Sequence, residues 1–221
     1  MMPIKAVIFD MDGVLLNSMP MHLEIWKNLF EKYGIDFSLE IFEKYNGTSS
    51  YGIAKNLVEK FNLEISVEEL VNEKHEKEKE MQDEMLDLFP DTLKIIEVLK
   101  SKDLKVGVAT SAMEDMTTYV KERFGLDKQV DNFIEAKDVS RTKPDPEIFL
   151  KCAEKLGVEP SNCVVVEDAI NGILAAQKGG MISVGITNTF PKEAFIDADF
   201  VIDDLNELYD VLDKVEILCV E

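Results

Sequence analysis

Short runs of β-branched and apolar residues recur through this sequence, separated by segments with helical periodicity. The runs Ile4–Phe9, Lys105–Thr110, Cys163–Glu167, Ile182–Ile186 and Phe200–Ile202 predict five strands. They lack the apolar–polar alternation of a sheet with one wet face, so both faces are covered, as in a parallel sheet. Between them, Thr92–Leu99, Pro146–Leu156 and Ala169–Lys178 place apolar residues on one helical face. Gly125, Gly157 and Gly179–Gly180 stand where helices of this kind end. Strand and helix alternating in this way predict an α/β fold with a doubly wound parallel sheet.

One interval breaks the alternation. Between Phe9 and Lys105 no strand pattern occurs, and residues 17–88 read as helices: Met19–Tyr33, Leu39–Tyr45, Tyr51–Phe61 and Ser66–Leu86. A connection between a strand and a helix usually takes about 2–6 residues, so this stretch predicts an inserted helical subdomain. The expected division is a core made of 1–16 and 89–221 and a helical cap made of 17–88. Within the cap, Glu73–Glu80 reads EKHEKEKE, the pattern of a solvated face with pairs such as Glu73 and Lys77 four residues apart.

Composition excludes several function classes. Acids outnumber bases 44 to 24 in 221 residues, a formal net charge of −20. That field repels nucleic acid and anionic lipid, so neither is an expected partner. It also repels small anions, so any anion site must carry local positive charge. Cys152, Cys163 and Cys219 form no CxxC pair, which argues against a disulfide scaffold or zinc site and fits a reducing cytoplasm. No apolar run reaches the roughly 18 residues of a membrane span, and the first residues lack the pattern of a signal peptide.

The residues with chemical potential gather at strand ends. Asp10-Met11-Asp12-Gly13 follows the first strand, Thr110-Ser111 closes the second, and Glu167-Asp168 follows three valines. In a parallel sheet the carboxyl ends of the strands form the ligand crevice. Lys143 lies in the proline-flanked segment Arg141–Pro146, whose path is constrained away from helix. Taken singly, Asp12-Gly13 is a turn, Lys143 a surface lysine and Thr110 a helix cap. Taken together, four acids, a hydroxyl and a lysine fall at one edge of one sheet. Oxygen ligands without a histidine cluster favour a hard cation, Mg²⁺.

Four segments in order, FDMDGVLLNS, VATSA, TKPDPEIF and VVVEDAINGILAA, closely resemble the motifs of the haloacid dehalogenase superfamily. The nearest likeness is to its branch with a helical cap after the first motif, the phosphoglycolate-phosphatase-like and β-phosphoglucomutase-like enzymes. The resemblance implies Asp10 as the nucleophile that forms an aspartyl-phosphate, and Asp12 as general acid and base. It implies that Thr110, Ser111 and Lys143 hold the transferring phosphate, with Lys143 also catalytic. It further implies that Mg²⁺ is held by Asp10, the Asp12 carbonyl and Asp168, with Glu167 either on the metal or next to it. Dehalogenation itself is disfavoured, because expelling halide needs neither the acid at Asp12 nor a metal.

In the cap, His22 and Trp26 stand one turn apart, and His22 is expected to contact substrate. The mutases carry an arginine that grips the second phosphate; this chain reads Asn46-Gly47-Thr48-Ser49-Ser50 there. Gly47 and Thr48 are therefore expected to meet a smaller or uncharged remote group. The expected activity is a Mg²⁺-dependent phosphatase acting on a small phosphorylated metabolite, of the sugar phosphate or phosphoglycolate type. A β-phosphoglucomutase-like sugar phosphate mutase is the alternative. The expected enzyme is cytoplasmic and monomeric, with no nucleic acid or membrane partner.

Overall fold

The structure, a computed structural model, describes residues 3–37, 41 and 49–218. Six strands form one sheet: β1 (Ala6–Phe9), β2 (Lys105–Ala109), β3 (Asn132–Ile134), β4 (Cys163–Glu167), β5 (Ile182–Ile186) and β6 (Phe200–Ile202). Their order is β3-β2-β1-β4-β5-β6, and every pairing is parallel. Five of these are the expected strands, with β1 beginning at Ala6 and β2 ending at Ala109. The sixth, β3, was not expected. It is three residues long and opens on an asparagine, so it offers no β-branched run to detect. It pairs with β2 at the sheet edge, Val108 opposite Phe133.

The described helices are α1 (Met19–Glu31), α2 (Ser50–Phe61), α3 (Val67–Met85), α4 (Thr92–Ser101), α5 (Glu114–Phe124), α6 (Leu126–Gln129), α7 (Glu147–Leu156), α8 (Ile170–Lys178) and α9 (Leu208–Leu218). Both faces of the sheet are covered, which explains the missing alternation. Val7 and Phe9 of β1 enter one apolar cluster with Val106, Val108, Val164 and Val166. Ala6 and Ile8 point the other way, into a cluster with Phe149, Cys152 and Ala153 of α7 and Ala175 and Ala176 of α8. Gly107 lets α7 lie close on β2, because a Cβ there would come within 2.5 Å of Cys152 Sγ.

All strands come from outside residues 17–88, and the described part of that interval holds α1, α2 and α3. The expected helix over Leu39–Tyr45 lies, apart from Ile41, outside the described residues, as do Gly47 and Thr48. The two connections between this helical unit and the sheet run side by side. Asn17 N donates to the Asp87 carbonyl at 2.9 Å, and Phe89 N donates to the Leu15 carbonyl at 2.9 Å. On α1 the buried residues Met21, Ile25, Trp26, Leu29 and Phe30 form one face, which packs on α3. Phe30 stacks on Phe37 with ring centroids 5.1 Å apart. Burial at this spacing stabilises the helix far more than its intrinsic propensity does.

Residues 73–80 depart from the solvated face expected of them. Lys74 and Glu78 are buried, on the same side of α3 as Leu70 and Val71. Glu73 pairs with Lys32, just past the end of α1, at 2.7 Å rather than with Lys77. The remaining charges, including Lys77 with Glu80 at 2.5 Å and Lys79 with Glu76 at 3.2 Å, do lie on a wet face.

Candidate active site

The central strand β1 lies between β2 and β4, and its register puts Phe9 opposite both Val108 and Val166. Three chain ends therefore finish at one level, and Asp10, Thr110 and Glu167 emerge together at the carboxyl edge. Backbone bonds hold them there: Asp10 N donates to the Val166 carbonyl at 3.0 Å, and Thr110 N to the Ile134 carbonyl at 3.0 Å. Unexpected β3 thus helps fix Thr110. The Thr110 hydroxyl accepts from Ala112 N at 3.0 Å, shaping the loop that follows rather than capping α5, which starts after Met113.

Lys143 enters from the segment before α7; its peptide bond to Pro144 is cis. Its ammonium is buried and donates to Asp10 Oδ1 and, at 2.6 Å, to Glu167 Oε1. The other Glu167 oxygen accepts from Ala169 N at 2.8 Å, so both oxygens of that carboxylate are engaged. The carboxylate fits against Gly172 at the start of α8, where a Cβ would overlap it. Asp168 points to the loop after β1 and accepts from the Thr189 hydroxyl. Gly13, with φ +74°, makes that approach possible, since a Cβ there would overlap Asp168 Oδ2.

Asp10, Lys143 and Asp168 are almost fully removed from water, and their protonation equilibria reflect it. Burial, with Glu167 and Asp12 nearby, pushes the Asp10 carboxyl up to about 7 although Lys143 opposes the shift. Burial, then the charges of Glu167 and Asp10, hold Asp168 well above the carboxylate range. Burial draws the Lys143 ammonium down, but Asp10 and Glu167 outweigh it and leave that lysine above its ordinary value. Asp12 runs the other way: burial raises it, but His22 and Ser18 bring it below the usual value. Raised acids in one cluster mean crowded negative charge with too little counter-charge.

The cavity at this edge brings together Asp10, Asp12, Thr110, Ser111, Lys143, Glu167 and Asp168 from the sheet side, and His22 from α1. All the described expected site residues therefore meet in one place. Asp12 Oδ1 is buried there without a hydrogen-bond partner; His22 Nε2 lies 3.5 Å from it. From the helical unit the cavity also receives Met19, Trp26, Ser50, Ile53, Lys74 and Glu78. Ser50, Lys74 and Glu78 were missed as site residues. A signal was present for the last two, because Leu70, Lys74 and Glu78 repeat at four-residue spacing and so share the apolar face.

Among the described residues, no group of three or more His, Cys, Asp or Glu side chains is arranged to hold a metal ion by itself. A Mg²⁺ site does not require one: this ion keeps several waters and uses one or two carboxylates together with substrate phosphate. Asp10 and Asp168 supply that number of hard oxygen donors, and burial together with the neighbouring carboxylates makes both harder to ionise, a cost that a cation would relieve. The residues present fit Mg²⁺.

Comparison with known proteins agrees with this geometry. Residues 7–186 match the family model described as haloacid dehalogenase-like hydrolase. The chain is 32% identical over 204 residues to a validoxylamine A 7'-phosphate phosphatase of Streptomyces hygroscopicus subsp. limoneus, covering 92% of this chain and 95% of the relative. It is 32% identical over 183 residues to a fructose-1-phosphate phosphatase of Escherichia coli K12, covering 82% of this chain and 95% of the relative. The crystal structure of a β-phosphoglucomutase from Clostridium difficile superposes with a TM-score of 0.86 at 28% identity, over 99% of this chain and all of that one. With its parallel sheet, four ordered motifs and acid-lined edge, the chain belongs to the haloacid dehalogenase-like hydrolases.

Proposed function

We propose that this protein is a Mg²⁺-dependent phosphatase that hydrolyses a small phosphorylated metabolite, of the sugar phosphate type, through an aspartyl-phosphate on Asp10. The observation that carries this reading is the Asp10–Asp12 pair. One carboxylate is braced against a buried lysine, and the other lines the same cavity with its Oδ1 3.5 Å from His22 Nε2. Asp10 attacks phosphorus. Asp12 gives a proton to the departing oxygen and then takes one from the water that cleaves the acyl phosphate. Lys143, the Thr110 hydroxyl and the Ser111 backbone N–H balance charge on the phosphoryl oxygens.

Mg²⁺, held by Asp10, Asp168 and the Asp12 carbonyl, would neutralise the phosphate and Asp10 together. Glu167 holds Lys143 in place rather than serving as a third carboxylate ligand. The helical unit, residues 17–88, acts as a lid over the edge, hinged at the paired connections 15–17 and 87–89. His22 faces the rest of the substrate, and Gly47 and Thr48, outside the described residues, are proposed to bind it as well. The reading places a single chain in the cytoplasm, in keeping with the free, buried Cys152 and Cys163.

The names of the phosphatase relatives support hydrolysis, while the likeness to a β-phosphoglucomutase favours a mutase as second reading. Phosphate release from hexose phosphates, phosphoglycolate, glycerol phosphate and nucleotides, with Mg²⁺ present, tests the proposal. Sugar phosphates are expected to be the best substrates. No release from any of them refutes it, and interconversion of β-glucose 1-phosphate and 6-phosphate faster than hydrolysis establishes the mutase instead.

A further inference from the structure

The roof of the cavity carries a charge arrangement that bears on which phosphate esters can enter. Lys74 and Glu78, four residues apart on α3, are both buried and form an ion pair at the cavity wall opposite Asp10. Lys74 Nζ also donates to the Ser50 hydroxyl at 3.0 Å. Glu78 Oε1 lies 3.4 Å from His22 Nδ1, and Glu78 Oε2 lies 3.9 Å from His75 Nε2. Among the described residues, the lysines lining the cavity are Lys74 and Lys143. Lys143 is taken by Asp10 and Glu167, and Lys74 by Glu78.

Neither cation is left unmatched for a second anionic group. A remote phosphate entering under the roof would meet the Glu78 carboxylate beside the lysine it needs, and like charges brought together out of water are strongly disfavoured. Hydroxyl groups meet no such barrier. A carboxylate and a hydroxyl accept their hydrogen bonds, and imidazole, ammonium and hydroxyl donors lie within the same few ångströms. Building a clash against the unwanted ligand is how selectivity is commonly obtained.

Resting on the phosphatase reading above, we infer that Glu78 is a specificity-determining residue. By occupying Lys74 it restricts the site to phosphomonoesters whose remainder is neutral and hydroxyl-rich, and it rejects bisphosphates. The test compares kcat/KM for fructose 1-phosphate and fructose 1,6-bisphosphate, which differ covalently by the phosphate on O6. It uses the native protein, Glu78→Gln, and the double variant Lys74→Met/Glu78→Gln, with melting temperature as the check on folding.

The native protein should favour the monophosphate. Glu78→Gln, which frees the ammonium, should raise the bisphosphate-to-monophosphate ratio by roughly tenfold or more, and the double variant should lose that gain. A native preference for the bisphosphate overturns the inference whatever the variants do. So does a folded Glu78→Gln protein with an unchanged ratio. Turnover of p-nitrophenyl phosphate by the native protein, which has no remote hydroxyl or phosphate to recognise, reports separately on the phosphatase reading.

Discussion

Asp10 and Asp12 are two residues apart and both reach the same cavity, yet their surroundings drive them in opposite directions. Burial, with Glu167 and Asp12 nearby, pushes Asp10 up to about 7, whereas Asp12 faces His22 and stays below its usual value. As the proposed nucleophile, Asp10 relies on Lys143 to stay ionised and should be sensitive to its loss. Lys143→Met is expected to lower kcat by about a hundredfold or more, the usual cost of removing a preorganised charge from a transition state, and steady-state kinetics with p-nitrophenyl phosphate will read it. Asp10→Asn should abolish turnover without lowering the melting temperature of the metal-free protein, because it removes one charge from an overcrowded cluster. A fall of several degrees would contradict that account of the cluster. Asp10, Thr110 and Glu167 were legible in the sequence because each closes a buried apolar run, and Lys143 because it sits in a proline-constrained segment. Lys74 and Glu78 were not, because in EKHEKEKE the signs alternate as they do on any solvated helix. That the residues sharing their face are apolar outweighs the local charge pattern.

Elements differ in how firmly the sequence specifies them. Strands β1, β2, β4, β5 and β6 are β-branched and flanked by glycine or charge, so their existence follows from local pattern. Strand β3 exists because β2 offers it an edge, a tertiary cause with no local trace. Helix α3 is specified at its start: Ser66 Oγ accepts from Glu69 N at 3.1 Å, while Glu69 Oε2 accepts from Ser66 N at 3.1 Å. Ser66→Ala should therefore cost about 1 kcal/mol, measured as a lower urea midpoint at unchanged slope. At α8 the constraint is steric. In Gly172→Ala the new methyl displaces the Glu167 carboxyl, which holds Lys143. Activity should fall by roughly tenfold with helix content preserved by circular dichroism; full activity would mean that Glu167 need not sit where it does.

At the scale of the molecule, a chain of net charge −20 gathers, among the described residues, five carboxylates around one cavity and supplies two lysines to it. Binding a phosphate dianion in such surroundings needs more positive charge than those lysines provide. Chelation should accordingly abolish activity and Mg²⁺ restore it, while Ca²⁺, with its looser and higher coordination, should substitute poorly. Both the sheet and the position of the helical insertion were legible from the alternation of strands and helices and its single interruption. The approach of the insertion to the sheet edge was expected at His22 through the family resemblance, whereas Lys74 and Glu78 of the roof reach the edge through packing that no local pattern announces. In the proposed mechanism the whole arrangement serves transfer of phosphate to Asp10. The direct measurement is the mass of peptides from Asp12→Asn protein mixed with p-nitrophenyl phosphate and Mg²⁺ and quenched in acid. The account predicts a phosphoryl group on the peptide containing Asp10 and none when Asp10→Asn is added to the same protein. Phosphate release by Asp10→Asn protein at the native rate, or a phosphoryl group carried elsewhere, would contradict it.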